Sequence, residues 1–246
     1  MLKKGGKTEK RLKKLFHRVH RPEWQEVAGI SLPLKHPLIT PSIRRDIYFG
    51  DYERKELDVI EQRLQPGDTV LEIGAGIGFL SAYCARIVGN ERVYAYEANP
   101  ALVALIGEVH ARNRVSPQVI HSLLGEGDCE RDFFVERDYW ASSLIRRSAD
   151  ARRVRVRQVD LSAELHRTAP NFLIVDVEGG EYELLRRADL SGVAKLCLEV
   201  HPDVLGNARA SELFSSLIAG GFALDFSLMR KNVFYFYREA AAARPG

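Results

Sequence analysis

The chain has 246 residues, 46% hydrophobic and 28% charged, with a net charge of +3 at pH 7. That balance excludes a disordered or fibrous chain and suits one large α/β domain with a substantial core. No apolar run approaches the roughly 20 residues of a membrane span. The basic start lacks the apolar stretch of a secretory signal. Cys84, Cys129 and Cys197 form no closely spaced pair, so reduced thiols in a cytoplasmic protein are expected rather than disulfides or zinc.

Residues 1–43 read as a basic arm and a lead-in. Residues 1–21 carry nine Lys or Arg against Glu9, a net charge of +8 that leaves −5 for the other 225 residues. Such an arm is either a solvated tail or a contact for nucleic acid, anionic lipid or an acidic partner. Pro22, Pro33, Pro37 and Pro41 punctuate an irregular stretch. From Arg44 the spacing of Ile47, Leu57, Ile60 and Leu64 predicts helical packing, ended by Pro66-Gly67.

From there to the C-terminus, strands and helices alternate: TVLEIG, helix 77–88, RVYAYEA, helix 100–112, QVIHSLL, NFLIVDV, helix 180–187, KLCLEV and helix 210–219. This predicts a doubly wound, mostly parallel sheet. FALDFSL and NVFYFYR then read as a closing antiparallel hairpin. Residues 126–160 interrupt the alternation between the third and fourth parallel strands. Val154 and Val156 fall on one face of a half-exposed strand, and Arg153, Arg155 and Arg157 on the other. The insertion is either a lid over the ligand end of the sheet or a plain β-extension.

"VLEIGAGIGFL" follows a strand and opens a helix. Gly74, Gly76 and Gly78 allow a tight turn and close ligand approach. Glu97 ends the next strand, where an acid accepts hydrogen bonds from ribose hydroxyls. Dinucleotide fingerprints need a small residue where Phe79 stands. Glu72 would repel a pyrophosphate but suits a ligand with a cationic amino-acid end.

"NFLIVDVEGGEYELL" runs a buried strand into acids at the sheet end where ligands bind in open α/β folds. Asp176 and Glu178, two apart, point the same way on an extended strand end. Glu199 and His201 do likewise on the neighbouring strand, so the four converge. Glu178 has an alternative structural job, accepting amide hydrogen bonds at the start of the next helix. Glu181 and Glu183 read as solvated first-turn acids. The cluster lacks a tight metal-ligand motif, although hard oxygen ligands with one imidazole suit a divalent cation.

"GDYERKEL", "EIGAGIG" with "YEANP", "DVEGGE" and "LEVH" together resemble the FkbM-type methyltransferases, a class I S-adenosylmethionine-dependent family, over residues 44–201. In that pattern a lysine is usual where Ile174 stands, and the first acid of the glycine motif is often Asp rather than Glu72. The resemblance implies a class I methyltransferase domain over 44–246, a Rossmann-like seven-stranded sheet whose last strand is antiparallel. It implies S-adenosylmethionine as cofactor. Gly74, Ala75, Gly76, Gly78 and Phe79 would form its cradle under the methionine portion. Glu97 and Ala98 would lie at the ribose, Ser122 and Leu123 at the adenine, and Glu53 would approach from the lead-in helix. Asp176 would lie nearest the cofactor, with Glu178 or His201 as base or substrate orienter. The activity implied is O-methylation of a hydroxyl on a small molecule, natural product or saccharide. RNA methylation through the basic arm and a non-catalytic cofactor-binding partner subunit are the alternatives. Alignment of the nucleophile with the methyl carbon at about 3–3.5 Å is the main demand of such chemistry.

Overall fold

The computed structural model describes residues 22–136, 144 and 146–239. The basic arm to Arg21, residues 137–143 and 145 of the insertion tip, and the C-terminal end from residue 240 lie outside the described residues.

Two short strands, β1 (Trp24–Val27) and β2 (Ile30–Pro33), precede helices α1 (Pro41–Phe49) and α2 (Arg54–Arg63). β3 (Val70–Ile73), α3 (Phe79–Val88), β4 (Val93–Glu97), α4 (Pro100–Asn113) and β5 (Gln118–His121) follow. β6 (Leu123–Gly125), β7 (Cys129–Val135), β8 (Arg152–Asp160) and α5 (Leu161–Thr168) make up the inserted region. Then come β9 (Phe172–Val175), α6 (Glu181–Leu185), β10 (Lys195–Glu199), α7 (Pro202–Leu205) and α8 (Asn207–Ala219). β11 (Ala223–Leu224) and β12 (Val233–Tyr237) close the fold.

The main sheet has seven strands in the order β11-β12-β10-β9-β3-β4-β5. β10, β9, β3, β4 and β5 are parallel, and β12 runs antiparallel to β10. This is the expected Rossmann-like arrangement with its antiparallel last strand. The central strands are buried on both faces, which explains their unbroken apolar runs. Val70, Phe172, Ile174 and Cys197 face one core layer with α2, α3 and α4. Leu71, Leu173, Val175, Leu196 and Leu198 face the other. Burying each such Leu or Ile contributes roughly 1.5–3 kcal/mol.

Three sequence expectations change. Residues 24–33 are not irregular but form an antiparallel hairpin, with Trp24 opposite Pro33. Val27, Ile30 and Leu32 of this hairpin join the main core layer. Proline at the end of a short edge strand is tolerated, so Pro33 bounds β2 rather than preventing it. The predicted continuous helical stretch from Arg44 is two helices, because Gly50 (φ 72°) and Glu53 (φ 44°) adopt left-handed backbone. QVIHSLL also splits, since β5 belongs to the main sheet and β6 to a separate three-stranded sheet ordered β6-β8-β7. In that small sheet Phe133 and Val156 pack on Ala98. The side chains of Arg153, Arg155 and Arg157 are 66–69% exposed, as the alternation predicts.

Candidate active site

The turn between β3 and α3 carries the three glycines at φ 89°, 55° and 80°, conformations that favour glycine over any residue with a Cβ. At Gly74 the demand is absolute: an added Cβ would lie 1.8 Å from the Asp176 carbonyl oxygen. The glycine turn and the β9 acid are therefore in direct backbone contact. A Cβ on Gly76 would lie 3.2 Å from Glu53 Oε1 and 3.3 Å from the Tyr52 hydroxyl. Thus the break before α2 brings Glu53 over the turn.

Around this turn the expected cofactor residues assemble. Glu97 Oε2 accepts from the Gly76 amide at 3.0 Å, and its Oε1 accepts from Asn99 at 2.8 Å. Burial pushes the Glu97 carboxyl up to about 7 against the pull of these amides. Glu72 is only 2% exposed, and burial lifts it to about 8. Glu53 is raised well above the usual range, first by burial and then by the neighbouring Glu72. Ala75 and Phe79 are buried in the core, so the Phe79 ring supports the turn from beneath. Ala98 packs against the inserted sheet, Ser122 is buried, and Leu123 opens β6.

Five buried polar atoms in this region lack a hydrogen-bond partner: Glu53 Oε2, Glu72 Oε2, Asn99 Nδ2, Ser122 Oγ and Asp176 Oδ1. Buried polar groups without partners cost free energy that a bound polar ligand recovers. Carboxylates at one end and a hydroxyl and amide at the other fit S-adenosylmethionine, which carries an ammonium, a ribose and an adenine.

The acids at the ends of β9 and β10 do converge, though not through extended backbone. Glu178 sits at φ 55° in the turn after β9. His201 Nε2 lies 3.5 Å from Glu178 Oε1 and 3.8 Å from Asp176 Oδ1. Its Nδ1 is 2.7 Å from Glu181 Oε1. Burial works to lower the His201 pKa, but the Glu181 hydrogen bond and the charges of Glu178, Glu181 and Glu199 raise it overall. Asp176 is pushed well above the carboxylate range by burial and by Glu199 and Glu178.

Glu178 does not accept hydrogen bonds from the next helix. Arg147 of the insertion grips it instead, donating from Nη1 to Oε2 at 3.2 Å and from Nη2 to its carbonyl at 2.6 Å. Glu136 holds the backbone amides of Arg147 and Ser148 at 2.9 and 3.1 Å, fixing that segment over the site. The amide-accepting job falls to Glu181, whose Oε1 also takes the Gly179 amide at 2.8 Å. Glu181 is 0% exposed, contrary to its expected solvation, whereas Glu183 is exposed. Two residues missed from the sequence are Glu181 and Lys55, whose ammonium is 2.5 Å from Glu199 Oε1.

Ligand atoms of Asp176, Glu199 and His201 lie within 4.8 Å of one another, a spacing that admits a divalent cation. A separate cavity of about 320 Å³, lined by Leu185, Leu190, Phe222 and Arg238 among others, lies towards the far end of β12.

The profile of the methyltransferase FkbM domain matches residues 72–216, more than half of the chain. The chain belongs to the FkbM methyltransferase family. This FkbM protein is therefore an S-adenosylmethionine-dependent methyltransferase, with S-adenosylmethionine as its methyl donor. No curated protein matches it. Among solved structures it is similar to a methyltransferase from Pyrococcus furiosus at 14% identity, covering 95% of this chain and 100% of that one, with a TM-score of 0.45. It is also similar to precorrin-6y C5,15-methyltransferase from Geobacter metallireducens at 16% identity, covering 77% and 89%, with a TM-score of 0.42. The Methanococcus jannaschii fibrillarin pre-rRNA processing protein is 14% identical, covering 72% and 68%, with a TM-score of 0.41. These likenesses are too distant to carry an acceptor to this chain. Among the described residues, no helix is long and apolar enough to cross a membrane.

Proposed function

We propose that this FkbM methyltransferase transfers methyl to a hydroxyl oxygen of a small molecule, natural product or saccharide. The observation that carries the reading is the Glu181–His201 pair at 2.7 Å, with the second imidazole nitrogen turned towards Asp176 beside the glycine turn. A nucleophile backed by an oriented base has this form, in which the third group fixes the base's tautomer and stabilises its charge. Bound S-adenosylmethionine supplies an electrophilic methyl on a positively charged sulfur.

Glu53 and Glu72 hold the cationic amino end of the donor, Glu97 its ribose, and Ser122 and Leu123 flank its adenine. Asp176, with one oxygen free of hydrogen bonds, orients the acceptor hydroxyl. His201 Nε2 takes the hydroxyl proton, and buried Glu181 stabilises the imidazolium. A positioned base of this kind contributes about 10²–10⁴-fold. Glu178, clamped by Arg147, shapes the acceptor side rather than moving the proton.

The arginine face of the insertion gives no separate support to RNA as acceptor, because Asp132 and Asp128 lie within 3.5–3.7 Å of Arg153, Arg155 and Arg157. Methyl-labelled S-adenosylmethionine, a panel of polyols, saccharides and phenols, and total RNA test the reading. Label recovered on oxygen, lost in His201→Asn while adenosylhomocysteine still binds, is expected. Label on a base nitrogen of RNA would overturn it.

A further inference from the structure

Lys55 lies in the first turn of α2, two residues after Glu53. Its Nζ is 2.5 Å from Glu199 Oε1 and 2.8 Å from Asn232 Oδ1. Asn232 Nδ2 donates to the same Glu199 oxygen at 2.6 Å. Glu56 Oε1 is 3.8 Å from the ammonium. The groups facing Glu199 are thus Lys55 and Glu56 from α2, Asn232 from the turn before β12, Asp176 after β9, and His201 after β10. β9 itself adds no cation, since Ile174 occupies the register position beside Glu72 and Cys197 and is 2% exposed.

Glu56, Asp176 and Glu199 crowd around one ammonium, and three neighbouring carboxyls cannot all ionise cheaply. The direct hydrogen bonds select among them. Glu199 receives the ammonium and an amide donor, whereas Asp176 Oδ1 receives neither. We propose that Lys55 is a positioning residue for methyl transfer: it holds Glu199 as the anion of the cluster and leaves Asp176 turned to the acceptor hydroxyl. This rests on the O-methyltransferase reading above. The titration directions agree with the geometry. Burial would raise Glu199, but the hydrogen bond and charge of Lys55 hold it below the usual range. Burial and Glu199 push Glu56 up to about 7. Because Glu53 and Lys55 share one helical turn, seating of the donor and charging of the acceptor centre are mechanically joined.

The test is a carbon NMR titration of protein labelled at glutamate side-chain carboxyls, with Glu199→Gln identifying the signal. In the wild type, Glu199 titrates below the ordinary value of about 4.3. In Lys55→Met its midpoint rises by about 1–3 pH units, the usual effect of losing an adjacent opposite charge, while Lys55→Arg keeps it low. Lys55→Gln, which retains a donor without the charge and disturbs packing less, also raises it. An unmoved midpoint in Lys55→Met, or in Lys55→Gln should the first variant fold poorly, overturns the proposal. Calorimetry with adenosylhomocysteine on the same samples separates the two readings. Failure of the wild type to bind defeats the functional reading, and an unmoved Glu199 midpoint defeats this one alone.

Discussion

Replacing Glu181 with Gln keeps the size of a fully buried side chain but removes the charge facing His201 Nδ1 at 2.7 Å. A hydrogen bond to a charged group contributes about 1.5–3 kcal/mol, against about 0.5–1.5 kcal/mol for a neutral one. The difference of about 1–1.5 kcal/mol corresponds to about one pH unit at the imidazole. Burial alone would depress His201, and the carboxylates around it lift it above its ordinary value. Glu181→Gln should therefore lower the His201 midpoint by about one pH unit, measured by nitrogen NMR with His201→Asn for assignment. Stability follows with a defined sign. Because the folded pKa lies above the unfolded one, the contribution of His201 is fully present below about pH 6.5 and is lost as pH rises through the folded value. In the variant, that pH-dependent part of the unfolding free energy shrinks by about 1 kcal/mol in urea titrations on the two sides of the transition. An unchanged His201 midpoint would refute the pairing as the source of the base.

Gly74→Ala places a methyl 1.8 Å from the Asp176 carbonyl at φ 89°. It should cost about 1–3 kcal/mol from the backbone alone and weaken adenosylhomocysteine binding about tenfold or more by calorimetry. Arg147→Met frees Glu178, so its carboxyl should titrate still higher and the KM for the acceptor should rise more than kcat falls. A double-mutant cycle with Glu178→Gln should return a coupling of about 0.5–3 kcal/mol. Far from the site, Asp68→Ala strands the Lys195 ammonium, which contacts both Asp68 oxygens at 2.7–2.9 Å. It should lower stability by about 3–5 kcal/mol in urea unfolding, with cofactor affinity kept.

The parallel core was readable because each β–α step carries its own punctuation. The glycine turn and Glu97 likewise announced themselves by spacing within one β–α–β unit. The remainder depended on contacts that local pattern does not encode. Lys55 meets Glu199 across 144 residues, and nothing in "GDYERKEL" separates that lysine from its solvated neighbours. Glu181 has the sequence position of a first-turn acid, normally solvated. It is buried because the left-handed Glu178 and Gly179 turn α6 back under His201. The hairpin β1–β2 escaped because its prolines were read as breakers, although Pro33 sits at a strand terminus. Helix α5 was hidden within the insertion, despite Asp160 capping it by accepting from the Ala163 amide at 2.9 Å.

The most direct check on where methyl transfer occurs is a crystal structure of the protein with adenosylhomocysteine. The sulfur should lie over the turn at 74–78 facing the Asp176 carboxyl, with the amino group towards Glu53 and Glu72 and the ribose at Glu97. Density for the molecule in the cavity beside Phe222 and Arg238, with the glycine turn bare, would contradict the account.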